Sequence, residues 1–127
     1  GKRVIVIDDS IVRGTTSKSR LGLLRKAGAK EIHVRISCPP HRYPCYYGID
    51  FKQKGELIAA SHTVEEIRQF LHVESLNYLS VNGMMSCTTQ PLQHFCNACF
   101  TSDYPTPIDE ETKKLAEKKT VNVGENT

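Results

Sequence analysis

The 127-residue chain has no tryptophan, and its four phenylalanines and five tyrosines bring aromatic residues to only 7%. With 39% hydrophobic residues in all, aliphatic side chains must build the core, and the length suits one domain. Long apolar runs are also missing: none approaches the roughly 18 to 20 residues of a membrane span. The opening Gly1-Lys2-Arg3-Val4-Ile5-Val6-Ile7-Asp8 enters a strand too early for a signal peptide. An excess of one charge is lacking too. Seventeen basic residues against 14 acidic ones give +3, with a pI near 8.6, far from the Lys/Arg density of a protein that holds nucleic acid through its phosphates. Neither a membrane nor a nucleic acid is an expected partner, and the chain reads as soluble and cytoplasmic. Five cysteines are an odd count without secretory context, which argues against a disulfide framework and leaves the thiols as core residues or metal ligands. There is no internal repeat and no low-complexity linker.

What is present alternates in type. Val4-Ile5-Val6-Ile7 is a continuous β-branched run that stops at Asp8-Asp9, as expected of a strand buried on both faces in a parallel sheet. From Thr16 to Ala27, Leu21, Leu24 and Ala27 recur at helical spacing, and Gly28 suits the left-handed position after a helix end. Glu31 to Ser37 alternates like a second strand, after which Pro39-Pro40 and Pro44 forbid regular pairing. Thr63-Val64-Glu65-Glu66 is a capping-box pattern, with Val64, Ile67, Phe70 and Leu71 on one face of the helix it opens. Leu76 to Val81 reads as a third strand, and Asp109 to Lys119 as a surface helix before a frayed end at Asn122 to Thr127. The expected fold class is α/β: a partial parallel sheet with helices on its faces and right-handed crossovers.

In open parallel sheets ligands bind beyond the carboxyl ends of the strands, which is where Asp8-Asp9-Ser10-Ile11-Val12-Arg13-Gly14-Thr15-Thr16-Ser17 falls. Gly14 lets the backbone come close to a ligand, Thr15, Thr16 and Ser17 supply hydroxyls, and the free N–H groups opening the next helix suit a phosphate. The two carboxylates suit sugar hydroxyls or a divalent cation, so a phosphorylated sugar with magnesium satisfies both halves. Arg13 either meets the phosphate or braces the turn. The plainer reading is a strand-to-helix turn in which these residues only cap. Further on, Cys96-Asn97-Ala98-Cys99 has the spacing that places two thiolates on one metal or cluster; zinc, an iron–sulfur cluster, a redox dithiol and two buried thiols all remain open. Cys38 and Cys87 read as small buried residues. His33 reads as surface-facing, none of His41, His62, His72 and His94 has metal-ligand spacing, and Tyr46 and Tyr47 read as packing residues.

The run from Val4 to Ser17 resembles the phosphoribosyl pyrophosphate motif of type I phosphoribosyltransferases, and more narrowly the glutamine phosphoribosylpyrophosphate amidotransferase family. The resemblance extends through Ala27-Gly28-Ala29-Lys30-Glu31, Pro39-Pro40, Tyr43-Pro44-Cys45-Tyr46-Tyr47-Gly48-Ile49-Asp50, Glu56-Leu57-Ile58-Ala59, Tyr78-Leu79-Ser80-Val81 and Cys96-Asn97-Ala98-Cys99-Phe100-Thr101. It implies residues 1–106 as the C-terminal portion of a phosphoribosyltransferase domain, 107–127 as a charged tail, and an N-terminal glutaminase domain outside this chain. The implied reaction is displacement of pyrophosphate by glutamine-derived ammonia to give 5-phosphoribosylamine, the first step of purine synthesis. Motif by motif, the resemblance assigns ribose hydroxyls and magnesium to Asp8 and Asp9, and the 5′-phosphate to Ser10, Ile11, Val12, Arg13, Gly14, Thr15, Thr16 and Ser17.

The same resemblance makes Cys45, Cys96 and Cys99 three ligands of a [4Fe–4S] cluster whose fourth ligand lies upstream of this sequence. Cys38 stands where the family usually has serine, and Ser102 where it often has glycine. Implied partners are phosphoribosyl pyrophosphate, purine nucleotides as feedback inhibitors, the remainder of the enzyme, and further copies in a homo-oligomer. The isolated chain is expected to bind ligand without turning it over and to expose a sheet edge and an apolar face. Two other readings stand beside this one: a non-catalytic nucleotide- or metal-binding module, and a receiver domain with Asp50 as phosphoacceptor.

Overall fold

The β-branched run at the start forms β1, Arg3–Asp8, in a computed structural model that describes residues 1–49 and 53–117. β1 runs parallel to β2, Glu31–Ile36, with Val4 opposite Ile32 and Asp8 opposite Ile36. β2 in turn runs parallel to β3, Ser75–Tyr78, with Val34 opposite Leu76. The order is β1-β2-β3, so β2 is central and β1 lies at an edge. Parallel neighbours need crossovers. The first is α1, Thr15–Lys26. The second passes through a 3-10 turn at Lys54–Glu56 and two helices, α2, Ile58–Ser61, and α3, Val64–Leu71. After β3 come α4, Val81–Ser86, a 3-10 turn at Leu92–His94, α5, Ala98–Thr101, and α6, Glu110–Glu117. The fold is the expected α/β class, and among the described residues no helix is long and apolar enough to cross a membrane.

The core lies on one face of the sheet. Ile32, Val34 and Ile36 of β2 pack with Leu76, Leu21 of α1, Ile58 and Ala59 of α2, and Ile67 and Leu71 of α3. On the opposite face, Arg35 Nη1 donates to Ser75 Oγ at 2.9 Å, and His33 lies between Ser75 Oγ at 2.9 Å and Glu31 Oε2 at 3.1 Å. His33 thus lies on the face away from the core, as expected, but half-buried, between its cross-strand neighbour Ser75 and Glu31 of its own strand. β1 departs further from expectation. Instead of burial on both faces, it leaves Ile5 69% and Ile7 76% exposed, since no element among the described residues covers that side of the edge strand. The open edge and apolar face expected of this chain are thus present.

Two boundaries follow from local hydrogen bonding. α1 spans nearly the expected residues and is followed by Gly28 at φ +93°, the left-handed position foreseen for it. The Thr63 capping box forms in full: Thr63 N donates to Glu66 Oε2 at 2.7 Å and Glu66 N to Thr63 Oγ1 at 3.2 Å. β3, by contrast, ends at Tyr78 and not at Val81. Ser80 Oγ accepts from Gly83 N at 2.9 Å and caps α4, so Val81 is helical. α6 falls within the helix expected over Asp109 to Lys119, with Asp109 Oδ1 accepting from Thr112 N at 2.7 Å; Lys118, Lys119 and the stretch expected to fray lie outside the described residues.

Glu74, just before β3, ties three elements together. It accepts from Ile32 N at 2.6 Å and from Arg25 Nη2 at 2.9 Å, while Arg25 Nη1 donates to Lys30 O at 2.8 Å. The Arg25 guanidinium and the Ile32 amide hold the Glu74 carboxyl down at about 2. Its contribution is complete above the unfolded value near 4.5 and fades as pH falls toward 2. Urea unfolding of Glu74→Gln should therefore show lower stability at neutral pH and a flatter loss between about pH 5 and 2; an unchanged acid limb would remove this group from the account. Ile67→Ala should cost about 2–5 kcal/mol, whereas Ile7→Thr should stay within about 0.5 kcal/mol. A large loss for Ile7→Thr would mean that β1 is covered in solution.

Candidate functional site

The carboxyl end of β1 runs into a loop fixed mostly by its backbone. Asp8 O accepts from Ser37 N at 3.0 Å, holding β1 to the segment after β2. Asp9 N donates to Asp8 Oδ1 at 3.0 Å, and Ser10 Oγ to Asp9 Oδ1 at 3.2 Å. Ile11 is only 2% exposed and belongs to the core, so its side chain anchors the loop. Val12 O accepts from Ile58 N at 2.9 Å. Arg13 Nη2 lies 2.5 Å from Glu56 Oε1.

Gly14 completes the turn. Its φ of +79° is left-handed, and a Cβ there would lie 3.1 Å from both Ile58 Cδ1 and Phe70 Cε1. Glycine is required on both counts. It is the N-cap of α1, with no side-chain cap and no acidic residue in the first turn, and the first helical bond runs from Lys18 N to Gly14 O at 2.8 Å. Among the described residues the amides of Thr15, Thr16 and Ser17 thus find no acceptor, with Thr15 and Thr16 exposed. Uncapped amides, three hydroxyls and the positive end of a 12-residue helix are chemistry that suits an anion.

The donor chemistry of the adjacent carboxylates fits magnesium. Asp8 Oδ1 and Asp9 Oδ1 each accept one hydrogen bond, and among the described residues neither Oδ2 accepts any, which leaves a hard oxygen donor on each carboxylate. No three His, Cys, Asp or Glu side chains among the described residues are placed to hold one metal ion. That suits magnesium, which takes one or two carboxylates and completes its shell with water and substrate oxygens, and it counts against a zinc centre.

The thiols gather elsewhere. Arg42 N and Tyr43 N donate to Cys99 O at 3.0 and 3.1 Å, Tyr104 Oη donates to Pro44 O at 2.8 Å, and the Tyr46 and Tyr104 rings stand 4.9 Å apart. These contacts bring the Cys45 loop against the segment bearing Cys96 and Cys99. Burial, then the charges of Cys45 and Cys96, push the Cys99 thiol up to about 11. Cys45 and Cys96 therefore lie near enough to influence the Cys99 thiol, and thiolates are the donor type an iron–sulfur cluster takes, while among the described residues no three such side chains are gathered as a metal group. Cys38, half-buried, donates to Pro39 O at 3.2 Å, and burial together with Asp9 and Cys99 raises it to about 11. Cys87 is exposed rather than buried, since it closes the end of α4, donating to Gly83 O at 3.3 Å. Tyr46 packs on Tyr104 as expected, whereas Tyr47 is 43% exposed, its Oη lying 3.0 Å from Thr106 Oγ1. Asp50 lies outside the described residues.

The burial of His41 carries no signal in the sequence. His41 is 9% exposed and its ring stands 4.7 Å from that of Phe100; burial lowers its pKa and Asp9 opposes the shift. Glu56 and Phe70 were also unassigned to the loop, because their contacts with it span long stretches of chain. The only available signal was that Glu56 opens the apolar run Leu57-Ile58-Ala59.

Comparison with known proteins returned one consistent group. No family model matches the chain. It is 51% identical over 114 residues to an amidophosphoribosyltransferase of Synechocystis sp., covering 90% of this chain and 23% of that protein. It is also 51% identical over 116 residues to that of Bacillus subtilis, covering 88% and 24%. Among solved structures it matches the glutamine phosphoribosylpyrophosphate amidotransferase of B. subtilis complexed with ADP and GMP, at TM-score 0.79 and 50% identity, over 87% of this chain and 25% of that one. A structure described as the allosteric regulatory enzyme of purine biosynthesis matches at TM-score 0.80 and 50% identity, over 88% and 25%. The chain spans about a quarter of the length of these relatives, and over that segment both its sequence and its fold are similar to theirs.

Proposed function

We propose that residues 1–106 are the C-terminal portion of the phosphoribosyltransferase domain of a cytoplasmic amidophosphoribosyltransferase, with 107–127 as a charged tail, acting in the first step of purine biosynthesis. The observation that carries this reading is the uncapped start of α1, opened by left-handed Gly14, directly after the paired carboxylates Asp8 and Asp9. The amides and hydroxyls from Ser10 to Ser17 bind the 5′-phosphate of phosphoribosyl pyrophosphate, and Asp8 and Asp9 accept hydrogen bonds from the ribose hydroxyls. Asp8 and Asp9 would hold a magnesium ion, which when bound would neutralise charge on the departing pyrophosphate.

The chemistry assigned to these residues is positioning and electrostatics. As the bond from C1 to pyrophosphate breaks and ammonia nitrogen bonds to C1, positive charge develops on the ribose, and the carboxylates beside it favour that charge. The phosphate loop, remote from C1, contributes binding energy that fixes the sugar for attack. Ammonia comes from glutamine through a glutaminase domain beyond these 127 residues. The open face at Ile5 and Ile7 is the surface that the remainder of the enzyme covers, and the full protein assembles as a homo-oligomer. Purine nucleotides, which share the 5′-phosphate, compete at the same loop; a relative solved with ADP and GMP supports this. Cys45, Cys96 and Cys99 hold a [4Fe–4S] cluster that clamps the late segment against the loop after β2.

Calorimetric titration of the anaerobically purified chain with phosphoribosyl pyrophosphate tests this directly. Binding should strengthen with magnesium. Asp9→Asn should keep the far-ultraviolet circular dichroism of the parent while losing roughly tenfold in magnesium-dependent affinity; unchanged affinity would sink the assignment. Given ammonia, magnesium and substrate, the chain alone should form no phosphoribosylamine, and turnover would show that the missing portion is dispensable. A folded chain that binds nothing would mean that the motif survives here as structure only.

A further inference from the structure

We infer that Glu56 is a positioning residue for the anion-binding loop, and that Arg13, although inside the loop, is the strut Glu56 holds and not a ligand of the anion. The inference rests on reading this loop as a phosphate site. Arg13 Nη2 lies 2.5 Å from Glu56 Oε1, with the Glu56 side chain 24% exposed and that of Arg13 58%. Glu56 is itself fixed in place. Its N donates to Gln53 O at 3.0 Å, Leu57 N donates to Lys54 O at 3.1 Å, and the next three residues, Leu57, Ile58 and Ala59, are each 1% exposed. That buried run anchors the chain immediately after Glu56.

The same short segment meets three successive loop residues. Ile58 N binds Val12 O at 2.9 Å, Glu56 pairs with Arg13, and Ile58 Cδ1 lies against the Cα of Gly14, 3.1 Å from where a Cβ would be. The strut thus joins a backbone bond and a packing contact on one side of the loop, and the uncapped amides of Thr15, Thr16 and Ser17 start immediately beyond it. With its guanidinium committed to Glu56, Arg13 is placed to set the curvature of the loop, and the charge attracting the anion comes from the helix terminus.

The test uses 15N-labelled chain with ribose 5-phosphate as probe, in Glu56→Gln, Arg13→Gln and the double variant, with backbone order parameters of residues 10–17 measured before ligand is added. Both single variants should lower those order parameters and weaken binding roughly two- to fivefold, the range of a part-exposed ion pair. The double variant should bind no more weakly than either single one. If Arg13 reached the anion, Glu56→Gln would free it and tighten binding while Arg13→Gln and the double variant lost affinity, which would overturn the inference. Unchanged order parameters in both single variants would overturn it as well. A parent chain that binds no ribose 5-phosphate would defeat the phosphate reading; lowered order parameters in Glu56→Gln would still uphold the strut.

Discussion

The left-handed turn at Gly14 decides how this chain presents its chemistry. A side chain there would need an unfavourable φ and would press on Ile58 and Phe70, so the turn exists only because residue 14 has no Cβ. The geometry then propagates both ways. Behind it, Ile11 sinks into the core and leaves Asp8 and Asp9 at the mouth of the sheet; ahead of it, α1 starts without a capping side chain. An anion site made of backbone amides has little rotamer entropy to lose on binding, but it depends wholly on the path of the backbone. Contacts from α2 and α3 to residues 12 to 14 are therefore as much a part of the site as the hydroxyls that line it.

A second feature joins the loop to the thiol segment. Phe100, one residue after Cys99, packs on His41, and both His41 and Cys38 feel the charge of Asp9. Cys38 also feels Cys99. The acidic pair and the cysteine neighbourhood are thus two sides of one packed region beyond β2, with the proline-rich stretch between Ser37 and Cys45 as the wall. Pro39-Pro40 suits that task, since residues without an N–H leave no donor to satisfy in an irregular buried segment.

Much of the fold was legible in the sequence because local rules settle it. The period and cap of α3, the length of α1 with Gly28 after it, and the two leading strands are short-range facts. The end of β3 was not legible: Leu79-Ser80-Val81 continues an apolar alternation, and only the bond from Gly83 N to Ser80 turns it into a helix start. The exposure of Ile5 and Ile7 was hidden for another reason, in that a β-branched run reveals that a strand prefers burial and not whether anything is present to bury it. At the site, the carboxylates, Gly14 and the hydroxyls were legible as a motif. The partner of Arg13 and the burial of His41 were not, since each depends on segments far apart in the chain.

The central claim is that the backbone from Ser10 to Ser17 holds the 5′-phosphate, with Asp8 and Asp9 at the ribose. Amide chemical-shift mapping of the labelled chain with phosphoribosyl pyrophosphate and magnesium reads this residue by residue. The account predicts that the largest, saturable changes fall on the amides of Asp9, Ser10, Thr15, Thr16 and Ser17, with smaller ones at Glu56 and Ile58 that support them. Saturable changes confined to the segment from Cys96 to Thr106, with the loop after β1 unmoved, would contradict it.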